Sequence, residues 1–334
     1  MMLPNASRPG GNPFVGLLVD SLDPDIATVP FSWARALVGR YDVFHAHWPE
    51  YLLRAQNPIE RVLRLVLLRL AVARCRVLKR PVGLTVHNRK AHETASGAAT
   101  RAFDWFVRVA DYRVFLNDFD SAAPYFHAGD VVIPHGDYFA VVSPHLLDVQ
   151  PEREPSRVLV FGALRAYKGI ESLIDTVRSL PDVHLEVAGR PTDEAYASSL
   201  RERVAGTANV SLEIGEMDDR SLTHRIRRAA LVVLPYPNLY NSGAALLALT
   251  MRRCLLIPDS ATARELQKEF GADRVLTYQT PLGADTLASA VEAADESPEQ
   301  PPGPLNARRD WKNIGADYSR LFRRDATVGD REHD

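Results

Sequence analysis

Short runs of branched apolar residues alternate with longer amphipathic segments along most of this chain, and no other feature constrains its fold as strongly. Residues 42–46 (DVFHA), 82–86 (VGLTV), 112–116 (YRVFL) and 131–133 form a first set of predicted strands. Residues 158–161 (VLVF), 184–188, 210–214, 231–234, 254–257 and 274–277 form a second set. Most are apolar at the majority of their positions, as strands are when both faces of a parallel sheet are covered. Helical patterns separate them, among them 169–180, 194–205, 220–230 and 261–270. Repeated strand–helix–strand units predict an α/β fold with parallel sheets and right-handed crossovers. Residues 1–5 are few and poor in β-branched side chains, so a first strand there is weakly specified.

At 334 residues the chain has room for about two domains. The polar stretch 147–156 (LDVQPEREPS) carries two prolines and reads as the linker. A second Pro-rich stretch, 297–304 (SPEQPPGP), precedes a last helical pattern at 308–324. The expected organisation is a Rossmann-like domain over 1–148, a second over 153–300, a helix at 306–324 that crosses back to the first, and a disordered tail at 325–334.

Forty Lys and Arg against 42 Asp and Glu leave a net charge of −2, which disfavours a protein that coats nucleic acid. Cys75 and Cys254 lie far apart, form no Cys-x-x-Cys motif, and suit a reducing compartment. The N-terminal residues show no basic region followed by an apolar one, so no secretory signal is expected. The most apolar stretch, 62–78, is interrupted by Arg64, Arg69, Arg74 and Arg76 and does not read as a membrane span.

Two segments of the second domain have the chemistry of an anion site. In 161–174 (FGALRAYKGIESLI), a strand ends near Gly162, a loop holds Arg165 and Lys168, and a helix opens at Gly169. Free N–H groups and the positive end of a helix dipole, joined by two full cations, suit a diphosphate. A merely basic, solvated loop would read the same way. In 234–248 (LPYPNLYNSGAALLA), Ser242 and Gly243 open an apolar helix. Ser is an ordinary N-cap, but Ser-Gly-Ala also lets backbone N–H groups approach a phosphate. Arg190, Tyr236, Asn241 and Ala244 complete the candidate donor-binding group with these residues.

In the first domain, HAHWPE (45–50), TVHNRKAHE (85–93) and IPHGDY (133–138) fall at the C-terminal ends of predicted strands, where open α/β sheets bind ligands. His45, His47, Glu50, His87, His92, Glu93, His135 and Asp137 are thereby expected at one edge. The histidines come from separate loops, without the close helical pairing of a metal site, so a metal is not expected. Removing a proton from a substrate hydroxyl is the better use, with His87, Glu50, Glu93 and Asp137 as candidate bases. Helix capping and hydroxyl binding are equally open roles for each of them. Asn12, His47, Trp48, His92 and His135 are the candidate acceptor or cleft residues.

The order strand, Gly162, Lys168-Gly169, helix resembles the donor half of a GT-B glycosyltransferase of the large family 4 group. That group carries Arg after the first Gly, where this chain has Ala163, so Arg165 would serve. Its Glu-x7-Glu pair would fall at Tyr240 and Ala248, neither acidic. The Tyr-x5-Ser-Gly pattern at 236–243, with Asn12-Pro13-Phe14, HAHWPE, TVHNRKAHE and IPHGDY, is similar to a divergent bacterial subgroup that makes exopolysaccharide and other surface glycans. The resemblance spans nearly the whole chain. It implies two Rossmann-like domains facing a cleft, and a metal-independent hexosyl transfer from a GDP- or UDP-sugar. It implies a glycan or polyprenyl-diphosphate-linked acceptor and no cofactor beyond the nucleotide-sugar co-substrate. The expected location is the cytoplasm, with the basic, Leu-rich stretch 54–80 touching the inner face of the plasma membrane. A long core helix with a solvated basic face is the other reading of that stretch. The rival functions are an epimerase or phosphorylase on the same fold, a catalytically degenerate sugar-nucleotide-binding scaffold, and a nucleic-acid binder.

Overall fold

The computed structural model describes residues 2–3, 13–53, 55, 57–88, 97–146, 152–236 and 239–330. The chain forms two compact units, one of residues 1–136 and 307–334, the other of 137–306. The division falls at 136/137 rather than within the linker expected at 147–156. The physical reason is a helix the sequence pattern did not reveal, Phe139–Leu146, whose Val142 is buried in the second unit's core.

The first unit runs β1 (Met2–Leu3), α1 (Phe14–Ser21), β2 (Val29–Pro30), α2 (Trp33–Val38), β3 (Phe44–Ala46), α3 (Pro58–Val77), β4 (Val82–Val86), α4 (Gly97–Val109), β5 (Tyr112–Phe115) and β6 (Val131–Val132). The second runs α5 (Phe139–Leu146), β7 (Arg157–Leu164), α6 (Ile170–Arg178), β8 (His184–Pro191), α7 (Glu194–Val204), β9 (Val210–Ile214), α8 (Asp219–Arg228), β10 (Leu231–Val233), α9 (Gly243–Thr250), β11 (Cys254–Pro258), α10 (Ala261–Phe270), β12 (Val275–Tyr278) and α11 (Ala284–Glu296). Helix α12 (Trp311–Asp330) belongs to the first unit. It starts later than the expected 306–324 helix and continues to Asp330, into the stretch expected to be a disordered tail.

Both six-stranded sheets are parallel throughout. The second has the order β12-β11-β10-β7-β8-β9, the doubly wound order of dinucleotide-binding folds, with its reversal between β7 and β10. Its strands explain their own apolar runs. Val158 and Val160 pack on one face with α6 and α11, whereas Leu159 and Phe161 pack on the other with α8, α9 and α10. Residues 158–161 are thus all buried, and no polar alternation shows in that run.

The first sheet has the order β2-β1-β3-β4-β5-β6, reversing between β1 and β3. On one face α1 and α12 pack together, burying Phe14, Leu18, Ile314, Tyr318 and Phe322 against Val43 and Val114. Arg323 of α12 holds Asp23 at 2.7 Å and also pairs with Asp25. The two-residue β1 is real but short, inserted between β2 and β3.

Candidate active site

In the first unit, His45 and His47 follow each other along β3 and its exit, and both are buried. Their environments differ. The His45 Nδ1 lies 3.1 Å from the Tyr112 hydroxyl and its Nε2 lies 2.8 Å from Thr85 Oγ1, which in turn shares a 2.9 Å hydrogen bond with the Tyr318 hydroxyl. This chain ties β3, β4 and β5 to α12, so His45 is structural. Burial, reinforced by neighbouring His47, keeps its pKa well below the ordinary histidine value.

His47 Nδ1 lies 3.1 Å from His87 Nε2, so one ring donates to the other. Its Nε2 is buried and has no hydrogen-bond partner among the described residues. Burial pushes the His47 pKa down to about 3, which makes the ring neutral at any working pH. Trp48 stacks on His87 at 4.0 Å, and Phe14 sets its ring 5.4, 4.6 and 4.8 Å from His47, His87 and His135. The Asn12-Pro13-Phe14 motif therefore contributes an aromatic post to the cluster through Phe14, while Asn12 lies outside the described residues.

His135 donates its Nδ1–H to the Gly136 carbonyl at 2.7 Å, and its own carbonyl accepts from Arg309 at 2.9 Å. Burial brings its pKa down to about 4, outweighing the Gly136 carbonyl, and the Arg309 charge adds to the depression. Glu50 is buried in the one-turn helix Pro49–Leu53. His92 and Glu93 lie outside the described residues. Among the described residues, no three His, Cys, Asp or Glu side chains converge as a metal ion requires.

Asp137 opens the second unit, and its carboxylate accepts from Phe139 N at 3.1 Å and Leu305 N at 2.9 Å. It caps α5 and clamps the chain at Leu305, the capping role left open for it beside that of a base. Asp137→Ala is expected to cost about 2 kcal/mol of stability, through two amides left without a charged acceptor. Turnover per folded molecule should stay within about twofold. Calorimetric melts read beside specific activity check both.

In the second unit, the loops after β7 and β10 flank the reversal in strand order. The first holds Arg165, the short turn Ala166–Lys168, and Gly169 at φ 69°. A Cβ on Gly169 would lie 2.8 Å from the Pro235 carbonyl, so the two loops meet where only glycine fits. Arg165 donates to Leu164 O at 3.2 Å and to Thr192 Oγ1 at 3.1 Å. The Lys168 ammonium stands 4.7 Å from the Tyr236 ring centroid, and burial, then the Arg165 charge, lowers its pKa to about 8. Burial also pushes the Tyr236 phenol above its ordinary range, and its hydroxyl shares a 2.8 Å hydrogen bond with Ser242 Oγ. Ser242 caps α9, accepting from Ala245 N at 3.2 Å.

Gly243 is the first residue of that helix, and a Cβ there would lie 2.3 Å from the Tyr138 hydroxyl. Asn241 and Ala244 are half-buried on either side. Gly162 pairs with Gly189 inside the β7–β8 ladder, below the loop. Arg190, at the end of β8, is exposed and ion-paired with Glu216. A pair so open to water contributes little by itself. Tyr240 and Ala248 supply no carboxylate: the Tyr240 carbonyl accepts from Thr262 at 2.9 Å, and Ala248 is core.

Sequence reasoning missed Tyr138 behind Gly243, Thr192 beside Arg165, Glu216 beside Arg190 and Arg309 behind His135. Thr192, Glu216 and Arg309 sit in no local motif, because each acts across the fold. Only Tyr138 had a signal, as the last residue of IPHGDY.

No family model matches this chain. Two sequences of GDP-mannose:glycolipid 4-beta-D-mannosyltransferase from Xanthomonas campestris pv. campestris are 30% identical to it over 324 residues, covering 96% of this chain and 89% of theirs. Among solved structures, sucrose-phosphate synthase from Thermosynechococcus elongatus matches with a TM-score of 0.56 and 16% identity, over 86% of this chain and 74% of that one. A UDP-forming α,α-trehalose-phosphate synthase from Burkholderia vietnamiensis matches with a TM-score of 0.55 and 14% identity, over 98% and 96%. At such identities these likenesses speak to the fold, which is that of the GT-B glycosyltransferases.

Proposed function

We infer, given that the chain belongs to the GT-B glycosyltransferase family of the GDP-mannose:glycolipid 4-beta-D-mannosyltransferases, that it moves mannose from GDP-mannose onto a glycolipid acceptor. The chain is a glycosyltransferase. The observation that carries the finer reading is the span of that identity, which runs through both units and over 96% of the chain.

The second unit is the proposed donor domain. Lys168, Arg165 and the N–H groups opening α6 and α9 suit a diphosphate at the reversal in strand order. As the bond from the sugar's anomeric carbon to phosphate oxygen breaks, the electron pair passes to the diphosphate. These groups stabilise the charge that develops there. The first unit, with His47, Trp48, His87 and His135, is the proposed acceptor domain. His87, held by His47, Trp48 and Phe14, takes the proton from the attacking hydroxyl. Glu50 is the second candidate for that role. The proposed reaction needs no metal, serves surface-polysaccharide synthesis, and takes place on the inner face of the plasma membrane.

The test is transfer of labelled mannose to bacterial glycolipid by the purified full chain, with EDTA present and absent. Label is expected in the lipid fraction with GDP-mannose alone, at the same rate under EDTA. Transfer from UDP-glucose in place of GDP-mannose would overturn the donor assignment, and loss of transfer under EDTA would overturn metal independence.

A further inference from the structure

Helix α3 has two apolar faces. Leu68, Ala71, Val72 and Cys75 are buried in the first unit. Ile59, Val62, Leu63, Val66, Leu70 and Val77 are 82, 62, 55, 45, 51 and 82% exposed. At 3.6 residues per turn these six fall within an arc of about 100° that runs the length of the helix, opposite the buried face. A surface helix that only covers a core would place charges there. The sequence pattern allowed a core helix with a solvated basic face; the solvent-facing side is instead apolar, and arginines line its borders.

Arg69 and Arg76 fall on one border and Arg74 on the other. Arg69 reaches back over the Trp105 ring at 5.7 Å and Arg74 donates to the Gly39 carbonyl at 2.6 Å, so both cations are held beside the stripe. The helix carries one acid, Glu60, already paired with Arg64. Lys79 and Arg80 extend the positive charge past its end, on a chain whose net charge is −2. No helix among the described residues is long and apolar enough to cross a membrane.

We propose that the outer face of α3 is a docking surface for an anionic lipid bilayer, lying flat in the headgroup region. This deepens the glycolipid reading above, since the acceptor would be met at that surface. The stripe suits the acyl boundary and the flanking arginines suit lipid phosphates. A second copy of the chain fits less well, because a two-fold contact on this stripe sets arginine rows against each other.

The experiment is flotation of the full chain with vesicles of phosphatidylglycerol and phosphatidylcholine, and with phosphatidylcholine alone. The wild type is expected to float with the anionic vesicles and to be released by salt. Val66→Glu/Leu70→Glu is expected to lower the bound fraction about tenfold, and Arg69→Gln/Arg76→Gln to remove the preference for anionic lipid. Mannose transfer to a short-chain, water-soluble acceptor should be unchanged in both. A wild type that stays unbound, or a glutamate variant that floats equally well, overturns the proposal. So does a glutamate variant that turns a dimer into a monomer without changing flotation. Docking without any mannose transfer would sink the glycolipid reading and leave this surface standing.

Discussion

Lys168→Ala is expected to weaken binding of the nucleotide-sugar donor about a hundredfold, the equivalent of losing one charge-assisted hydrogen bond of about 2.7 kcal/mol. The loss is large because the ammonium is pre-placed. It stands 4.7 Å over the Tyr236 ring, and Tyr236 is fixed by Ser242 at the start of α9. Little side-chain freedom remains to be lost on binding. The pH dependence follows from the lowered pKa of about 8, set first by burial and then by Arg165. Below pH 8 the free protein carries the proton that a diphosphate requires. Above it the free protein sheds the proton, whereas the complex keeps it because the anion favours the cation. Donor affinity should therefore be flat at neutral pH and fall by about tenfold per unit above pH 8.

The sign for folding is the opposite of that for binding. The unfolded chain, with an ordinary lysine pKa of 10.5, holds more protons between pH 8 and 10.5. This group's contribution to stability thus rises with pH through that window and is lowest below it. Lys168→Arg should keep the affinity at neutral pH and lose the slope. Isothermal titration with GDP across pH 6 to 10 reads all of this. An affinity unchanged by Lys168→Ala would remove the loop after β7 from the donor site.

His87→Ala is expected to reduce mannose transfer by about 10²- to 10⁴-fold, the span of general-base catalysis, with donor affinity kept within about twofold. The two readouts separate chemistry from binding. His87→Asn keeps a planar polar group, smaller than the imidazole, against Trp48 and Phe14, so it should fold as the wild type does and show the same loss. Single-turnover transfer at saturating GDP-mannose is the measurement. A rate within about tenfold of wild type would pass the role of base to Glu50, with Glu50→Gln as the next variant.

The loops proposed to hold the donor were legible from residues alone because their chemistry is local. A strand end, two cations, a glycine and a helix start follow each other in 161–174, and the fold keeps that order, with β7 running past Gly162 to Leu164 and α6 opening at Ile170. The boundary between units was not legible in this way. The prolines and charges at 147–156 look like a linker, but the chain crosses earlier, because Asp137 binds two backbone amides and α5 buries Val142. A polar composition marks exposure, and exposure does not mark where contacts change sides.

The apolar runs and the helix patterns between them determined an α/β chain of two parallel sheets. Burial on both sheet faces writes itself directly into such runs. Only the tertiary structure decided which histidine does what. His45 and His47 are two residues apart and alike in composition, yet one is consumed by Tyr112 and Thr85 while the other reaches His87. It also decided that Asp137 is a clamp and that α3 turns leucines and valines to the outside. Hydrogen bonds among distant segments, and the side from which a helix is covered, depend on where the chain returns in space. No local pattern of residues encodes that return.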